Sequence, residues 1–260
     1  MKYLDIKNLN IKKLIFLFLS LLLFYFTFIS QSNPDPYKLI KIVEEKLNYN
    51  EDLTTTISIV QVDPNSSNKV YKMKWYRRDK EDKFVLIFLE PSSEKGKGYL
   101  RIKDDFYMYL PETREFVYKN RKESVGDTNA KAENFEKLKI EELYNIIYLK
   151  DEKVSKFDTY VLLLKAKILD VSYPIQKIYI DKQTLLPVKR EYFSQSEKLM
   201  QTDYYIKYEK LKGDKVIATK ILIVDNIEEG KKTSILVEEY STNKIPDYVF
   251  TKAFLENQSK

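Results

Sequence analysis

Few side chains in this sequence could do chemistry. Asp104-Asp105 and Glu141-Glu142 are paired carboxylates of the type that glycoside hydrolysis uses as acid and base. Gly96-Lys97-Gly98 has the composition of a phosphate-cradling turn. Arg77-Arg78 and Arg101 could meet an acidic partner or a lipid phosphate. The chain has no histidine and no cysteine. That removes Ser-His and Cys-His nucleophile systems, thiolate or imidazole metal sites, and histidine acid–base catalysis. With five glycines in the whole chain, phosphate loops are nearly excluded. Asp104-Asp105 falls in a predicted hairpin turn and Glu141-Glu142 on an exposed helix face, where carboxylates are ordinarily solvated. No helix follows Gly96-Lys97-Gly98, so this segment is expected to bend the chain between two strands. A carboxylate hydrolase is the one enzymatic reading left, and it has no substrate to point to. The expectation is a protein that is not an enzyme, with no catalytic residue, cofactor or metal.

The surrounding elements read mostly as strands. Asp35 then Pro36 is an N-cap followed by proline at the first helical position. Tyr37, Ile40, Val43 and Leu47 then form one stripe, which predicts an amphipathic helix over 37–47. Strands are predicted at 54–62, 70–77, 84–89, 99–102, 106–110 and 116–119, then at 158–167, 175–180, 188–193, 202–211, 216–224 and 234–240. The run 84–89 is apolar at every position, as in a strand covered on both faces. Between the two sets, residues 124–150 carry a helical pattern through Phe135, Leu138, Leu143, Ile146 and Ile147, as one broken helix or two short ones. The expected fold is mainly β: a curved, antiparallel, unclosed half-barrel of about 10–12 strands. Amphipathic helices occupy its concave face and leave an apolar hollow.

The start of the chain is of another kind. Lys2, Lys7, Lys12 and Lys13 precede Leu14 to Ile29, where only Ser20 and Thr27 are polar. This is the layout of a secretory signal, and its sixteen residues fall just short of the ~17–25 that span a bilayer. Residues 1–32 are therefore expected to be a signal peptide, cleaved around Ser30 to Ser32, or an uncleaved N-terminal anchor helix. Residues 33–260 are the exported domain. The first thirty residues hold four lysines and one aspartate of the chain's net +6, so half of that charge belongs to the leader. The rest mixes both signs without a basic stripe, against nucleic-acid binding.

One stretch is specific. Pro91, then Lys95-Gly96-Lys97-Gly98-Tyr99-Leu100-Arg101, then Asp104-Asp105-Phe106-Tyr107-Met108-Tyr109-Leu110-Pro111 and Arg114, resembles the signature of the LolA-like outer-membrane lipoprotein-sorting family. Tyr107 occupies the usual tryptophan position. Ile245-Pro246-Asp247, Val249-Phe250-Thr251 and Phe254-Leu255 are similar to the family's ending. Ser124-Val125-Gly126-Asp127 and Ile140-Glu141-Glu142-Leu143 look like the two ends of a continuous family segment. Here they are separated by an extra stretch, Thr128 to Lys139, expected to be helical and to lie where a lid would sit.

The resemblance implies a periplasmic carrier with a half-open barrel, an apolar cavity and a helical lid. It would shield the acyl chains of lipoproteins, or of lipids, during transfer toward the outer membrane. Its partners would be an acylated lipoprotein or lipid, an inner-membrane lipoprotein-releasing transporter and an outer-membrane acceptor. Strand alternation places Met73, Trp75, Phe84, Leu86, Phe88, Phe106, Met108 and Leu110 as candidates for the cavity. Ile40, Val43, Leu47, Phe135, Leu138, Leu143 and Ile146 are candidates for the lid helices. Pro91, Gly96, Gly98, Tyr99, Tyr109, Pro111 and Arg114 carry the family motif. The competing reading is a membrane-tethered envelope scaffold that binds another protein through the sheet and does not shuttle.

Overall fold

Local signals set the first element. A computed structural model describes residues 33–258; the leader, its cleavage region and its anchor alternative lie outside them. Asp35 caps α1 (Pro36–Leu47), its carboxylate accepting from Tyr37 N at 3.0 Å and Lys38 N at 3.3 Å. The predicted stripe turns Ile40 and Val43 fully inward, while Tyr37 at its start is exposed.

Strands follow as the alternation requires: β1 (Leu53–Val62), β2 (Lys69–Arg78), β3 (Lys83–Glu90), β4 (Gly98–Ile102), β5 (Asp105–Leu110) and β6 (Glu115–Tyr118). A long connection, with a 3-10 turn at Ala132–Phe135 and the one-turn α2 (Ile140–Leu143), leads to the second run. This comprises β7 (Tyr144–Val154), β8 (Phe157–Ala166), β9 (Ile175–Asp181), β10 (Pro187–Phe193), β11 (Leu199–Lys210), β12 (Val216–Asp225) and β13 (Lys232–Ser241). A 3-10 turn at Asp247–Phe250 and α3 (Lys252–Gln258) follow.

All thirteen strands belong to one antiparallel sheet in the order β6-β5-β4-β3-β2-β1-β13-β12-β11-β10-β9-β8-β7. It is the expected unclosed half-barrel, with β7 as the strand that periodicity did not reveal. The order has a mechanical consequence. The chain runs out from β1 to one edge, and the next strand lies at the opposite edge. Residues 119–139 must therefore traverse the sheet, and they do so across the face that carries α1.

This traverse corrects the expected lid helices. Phe135 lies on a 3-10 turn, Leu138 is outside any helix, Leu143 closes the single turn of α2, and Ile146 is in β7. The Thr128–Lys139 stretch is not the helical insertion that was expected. A helix advances ~1.5 Å per residue and extended chain ~3.3 Å, so a segment that must span a sheet is drawn out. Short helices are marginal without tertiary support in any case. In β7, Tyr144 and Ile146 are buried and Asn145 and Ile147 exposed. That period-two pattern was masked by the helical spacing of Leu143, Ile146 and Ile147.

Both faces are covered at β3, as its unbroken apolar run requires. Phe84, Leu86 and Phe88 face the α1 side with Met73, Tyr99 and Phe106. Val85 and Ile87 pack on the other face with Leu100, Tyr109, Ile245, Phe250 and Leu255. A second cluster on the α1 side joins Leu39, Ile40 and Val43 to Ile140, Ile146, Leu162, Leu164 and Ile178.

Candidate functional site

Between these two clusters the concave face is not filled. A hollow of about 120 Å³ is left. Its floor comes from alternate residues of the central strands: Ile57 of β1, Ile235 and Val237 of β13, and Ile217, Ile221 and Ile223 of β12. Trp75 and Tyr49 close one side, and Ile178, Arg190, Asp203 and Tyr205 the other. Val43 and Leu47 of α1 roof it together with Glu133, Phe135, Glu136, Leu138 and Ile140 of the traversing segment.

Of the residues expected in the cavity, Trp75 lines it. Met73, Phe84, Leu86, Phe88 and Phe106 form the solid core beside it, with Met108 packed against that core. Leu110, half-buried near the end of β5, is in neither the core nor the lining. The structure brings Val43, Leu47, Phe135 and Leu138 together over the hollow. Ile40 and Ile146 are buried in the neighbouring cluster, and Leu143 packs at its border. The isoleucines of β12 and β13 and the polar side formed by Arg190, Asp203 and Tyr205 were not among the residues expected to line it. The signal was there: Gln201, Asp203 and Tyr205 alternate on one strand, as do Ile221 and Ile223 on the next.

The roof is one unit held by polar ties. Asn48, the C-cap of α1, donates to Leu138 O at 2.9 Å and accepts from Leu138 N at 2.7 Å. The Glu44 carboxylate accepts from Ile140 N and from Glu141 N, capping α2; burial nonetheless pushes its pKa up. Arg77 Nη2 donates to Asn48 at 3.3 Å and to Asp79 at 2.8 Å. Its guanidinium lies over the rings of Tyr49 and Trp75, 4.7 and 5.6 Å from their centroids.

A second set of ties fastens the traversing segment to β4. Arg101 pairs with Asp82 at 2.7 Å and stands 3.2 Å from Glu136, an ion pair without hydrogen-bond alignment. Lys139 also pairs with Asp82, and Arg121 with Glu136. Burial opposes ionisation of Asp82, but Arg101 and Lys139 hold its carboxyl below the usual range. At Glu136 burial prevails over its two arginines and the carboxyl is pushed up. Arg77, Arg78 and Arg101, the candidates for an acidic partner or a lipid phosphate, are 6%, 6% and 3% exposed and each is ion-paired within the chain. The carboxylate pairs remain solvated, with Asp104, Asp105, Glu141 and Glu142 all exposed.

No residue of the family motif lines the hollow. Gly98 abuts Leu255 of α3, and Tyr109 is buried against Phe116 on the convex side. Gly96 and Arg114 take positive φ in turns, and Pro91 and Pro111 begin turns after β3 and β5. Tyr99 alone points inward, its hydroxyl accepting from Gly126 N at 3.3 Å in the traversing segment. Bidentate Arg78–Asp52 contacts, both 2.9 Å, and an Arg78–Asp247 pair secure the C-terminal turn.

The open antiparallel half-barrel is a fold shared with several solved structures. A LolA superfamily protein of Nitrosomonas europaea superimposes with a TM-score of 0.75 at 18% identity, over 85% of this chain and 100% of that one. A Vibrio parahaemolyticus domain described as an outer membrane lipoprotein-sorting protein gives 0.77 at 19%, over 84% and 97%. A DUF1329 family protein of Desulfovibrio piger gives 0.75 at 19%, over 85% and 100%. Residues 80–257 match a family described as "Uncharacterized protein", and the chain belongs to that family. No curated protein matches it.

Proposed function

We propose that this protein is an exported carrier that shields the acyl chains of lipoproteins, or of lipids, during transfer toward the outer membrane. On this reading residues 1–32 are the signal or anchor, and 33–260 the carrier domain working in the periplasm. The loading partner would be an inner-membrane lipoprotein-releasing transporter, and the receiver an outer-membrane acceptor.

One observation carries the reading: the apolar hollow is roofed by parts that do not belong to the sheet. At about 120 Å³ it is smaller than the ~150 Å³ cavity that accommodates one benzene. A long chain enters only if the roof moves. Lifting the roof uncovers Leu39, Ile40, Val43, Phe135 and Ile140, all buried, at roughly 8–15 kcal/mol for five such side chains. One sixteen-carbon chain leaving water contributes roughly 12 kcal/mol. The two are comparable, so ligand and roof can exchange places, and neither binding nor release is prohibitive.

Native mass spectrometry of the protein recovered from its own envelope tests this. A co-purifying lipid or lipidated polypeptide is expected. Recovery of a stoichiometric partner without lipid would instead support the tethered scaffold.

A further inference from the structure

The hollow has a polar side that hydrocarbon alone does not need. Arg190 of β10 faces it, cross-strand from Asp203 of β11. The three buried arginines each have a carboxylate: Arg77 has Asp79, Arg78 has Asp52, and Arg101 has Asp82. Among the described residues, Arg190 is in no ion pair. Its Nη2 donates to the side-chain carbonyl of Gln176, and Tyr192 lies beneath it with 5.2 Å from guanidinium carbon to ring centroid. Its Nε is shielded from solvent and has no hydrogen-bond partner. Asp203 stands opposite but makes no ion pair with it; its oxygens accept from Tyr192 Oη and Gln201 Nε2, both at 2.8 Å. Trp75 Nε1, across the hollow, is a second buried donor with no partner.

A buried guanidinium is costly unless an acceptor completes it. A planar N–H fork is the usual receptor for a carboxylate. We propose that Arg190 binds the oxygen head of an acyl chain, a carboxylate or an ester carbonyl, while the hydrocarbon lies along the isoleucine floor. This rests on the carrier reading and specifies how its ligand is oriented: head against β10, tail along β12, β13 and β1. The charged groups facing this head are Asp203 from the sheet and Glu133 from the roof. Arg77 and Glu136 already have partners.

Trp75 lines the hollow and is the chain's only tryptophan, so its emission reports occupancy directly. The purified full-length chain is titrated with myristate, methyl myristate and tetradecane. At least one of the two oxygen-bearing ligands is expected to half-saturate at a concentration tenfold or more below tetradecane. Preference for myristate alone identifies a carboxylate, and equal preference for both identifies the carbonyl. Arg190→Met should bring the preferred ligand to the level of tetradecane while leaving tetradecane unchanged. Equal affinity for all three in the unmodified chain, a result that needs no variant, overturns the proposal and leaves the carrier reading intact. If none of them perturbs Trp75, both fall together.

Discussion

A methyl group at Gly98 would lie 2.7 Å from Leu255 Cδ2 and 2.8 Å from the Leu86 carbonyl oxygen. The leucine tip could rotate away, but the backbone oxygen of a paired strand cannot. Gly98→Ala is therefore expected to destabilise the protein by about 1–3 kcal/mol, read as a lower urea midpoint; an unchanged midpoint would refute the close packing of α3 on β4. Asp203 makes a different prediction. Burial pushes its carboxyl up to about 6 against the bonds donated by Gln201 and Tyr192, whereas the unfolded chain titrates near ~3.9. The folded state thus holds this proton more tightly. The associated stability is fully present below pH ~4 and is lost as pH rises through 6, on the order of 2–3 kcal/mol. Asp203→Asn does not titrate. Its melting temperature relative to the unmodified chain should be highest above pH 6 and decline between pH 6 and 4, and a gap independent of pH would contradict this.

At the scale of elements, the Asn48–Leu138 contacts join α1 to the traversing segment. Asn48→Ala removes these two hydrogen bonds and the longer one from Arg77 at a half-buried site, a loss of roughly 1–3 kcal/mol. The loss should fall on the roof and not on the sheet. Tryptic cleavage after Lys137 and Lys139, which samples the open population, is expected to quicken about tenfold with little change in global melting. Equal acceleration at sites within the strands would contradict a separable roof. The same elements mark how far the sequence could be read. Helix α1 was legible because its cap, its proline and its stripe all lie within a dozen residues. Most strands were legible from alternation alone. The segment 119–139 was not, since its shape follows from where its two ends must go. Nor were the buried arginines: Arg78 meets Asp247 across 169 positions of chain, and nothing local to either marks the pair. The cavity residues fell between these cases. Alternation correctly put Met73, Trp75 and Phe84 on the inner face. Where the filled core ends and the hollow begins depends on strand order, which no local pattern encodes.

For the whole molecule, strand order and roof are one fact. Because β1 lies between β2 and β13 and the next strand after β6 is at the far edge, the connection must cross the concave face. A roof is thus built into the topology, held by polar ties and a modest apolar area. The competition between roof and ligand is the centre of the account, and hydrogen exchange with and without a synthetic triacylated peptide tests it most directly. Occupancy should raise exchange tenfold or more at amides of α1 and residues 119–143 while β1 to β4 stay protected. Unchanged or increased protection of that roof in the presence of bound peptide would contradict the displacement on which the account depends.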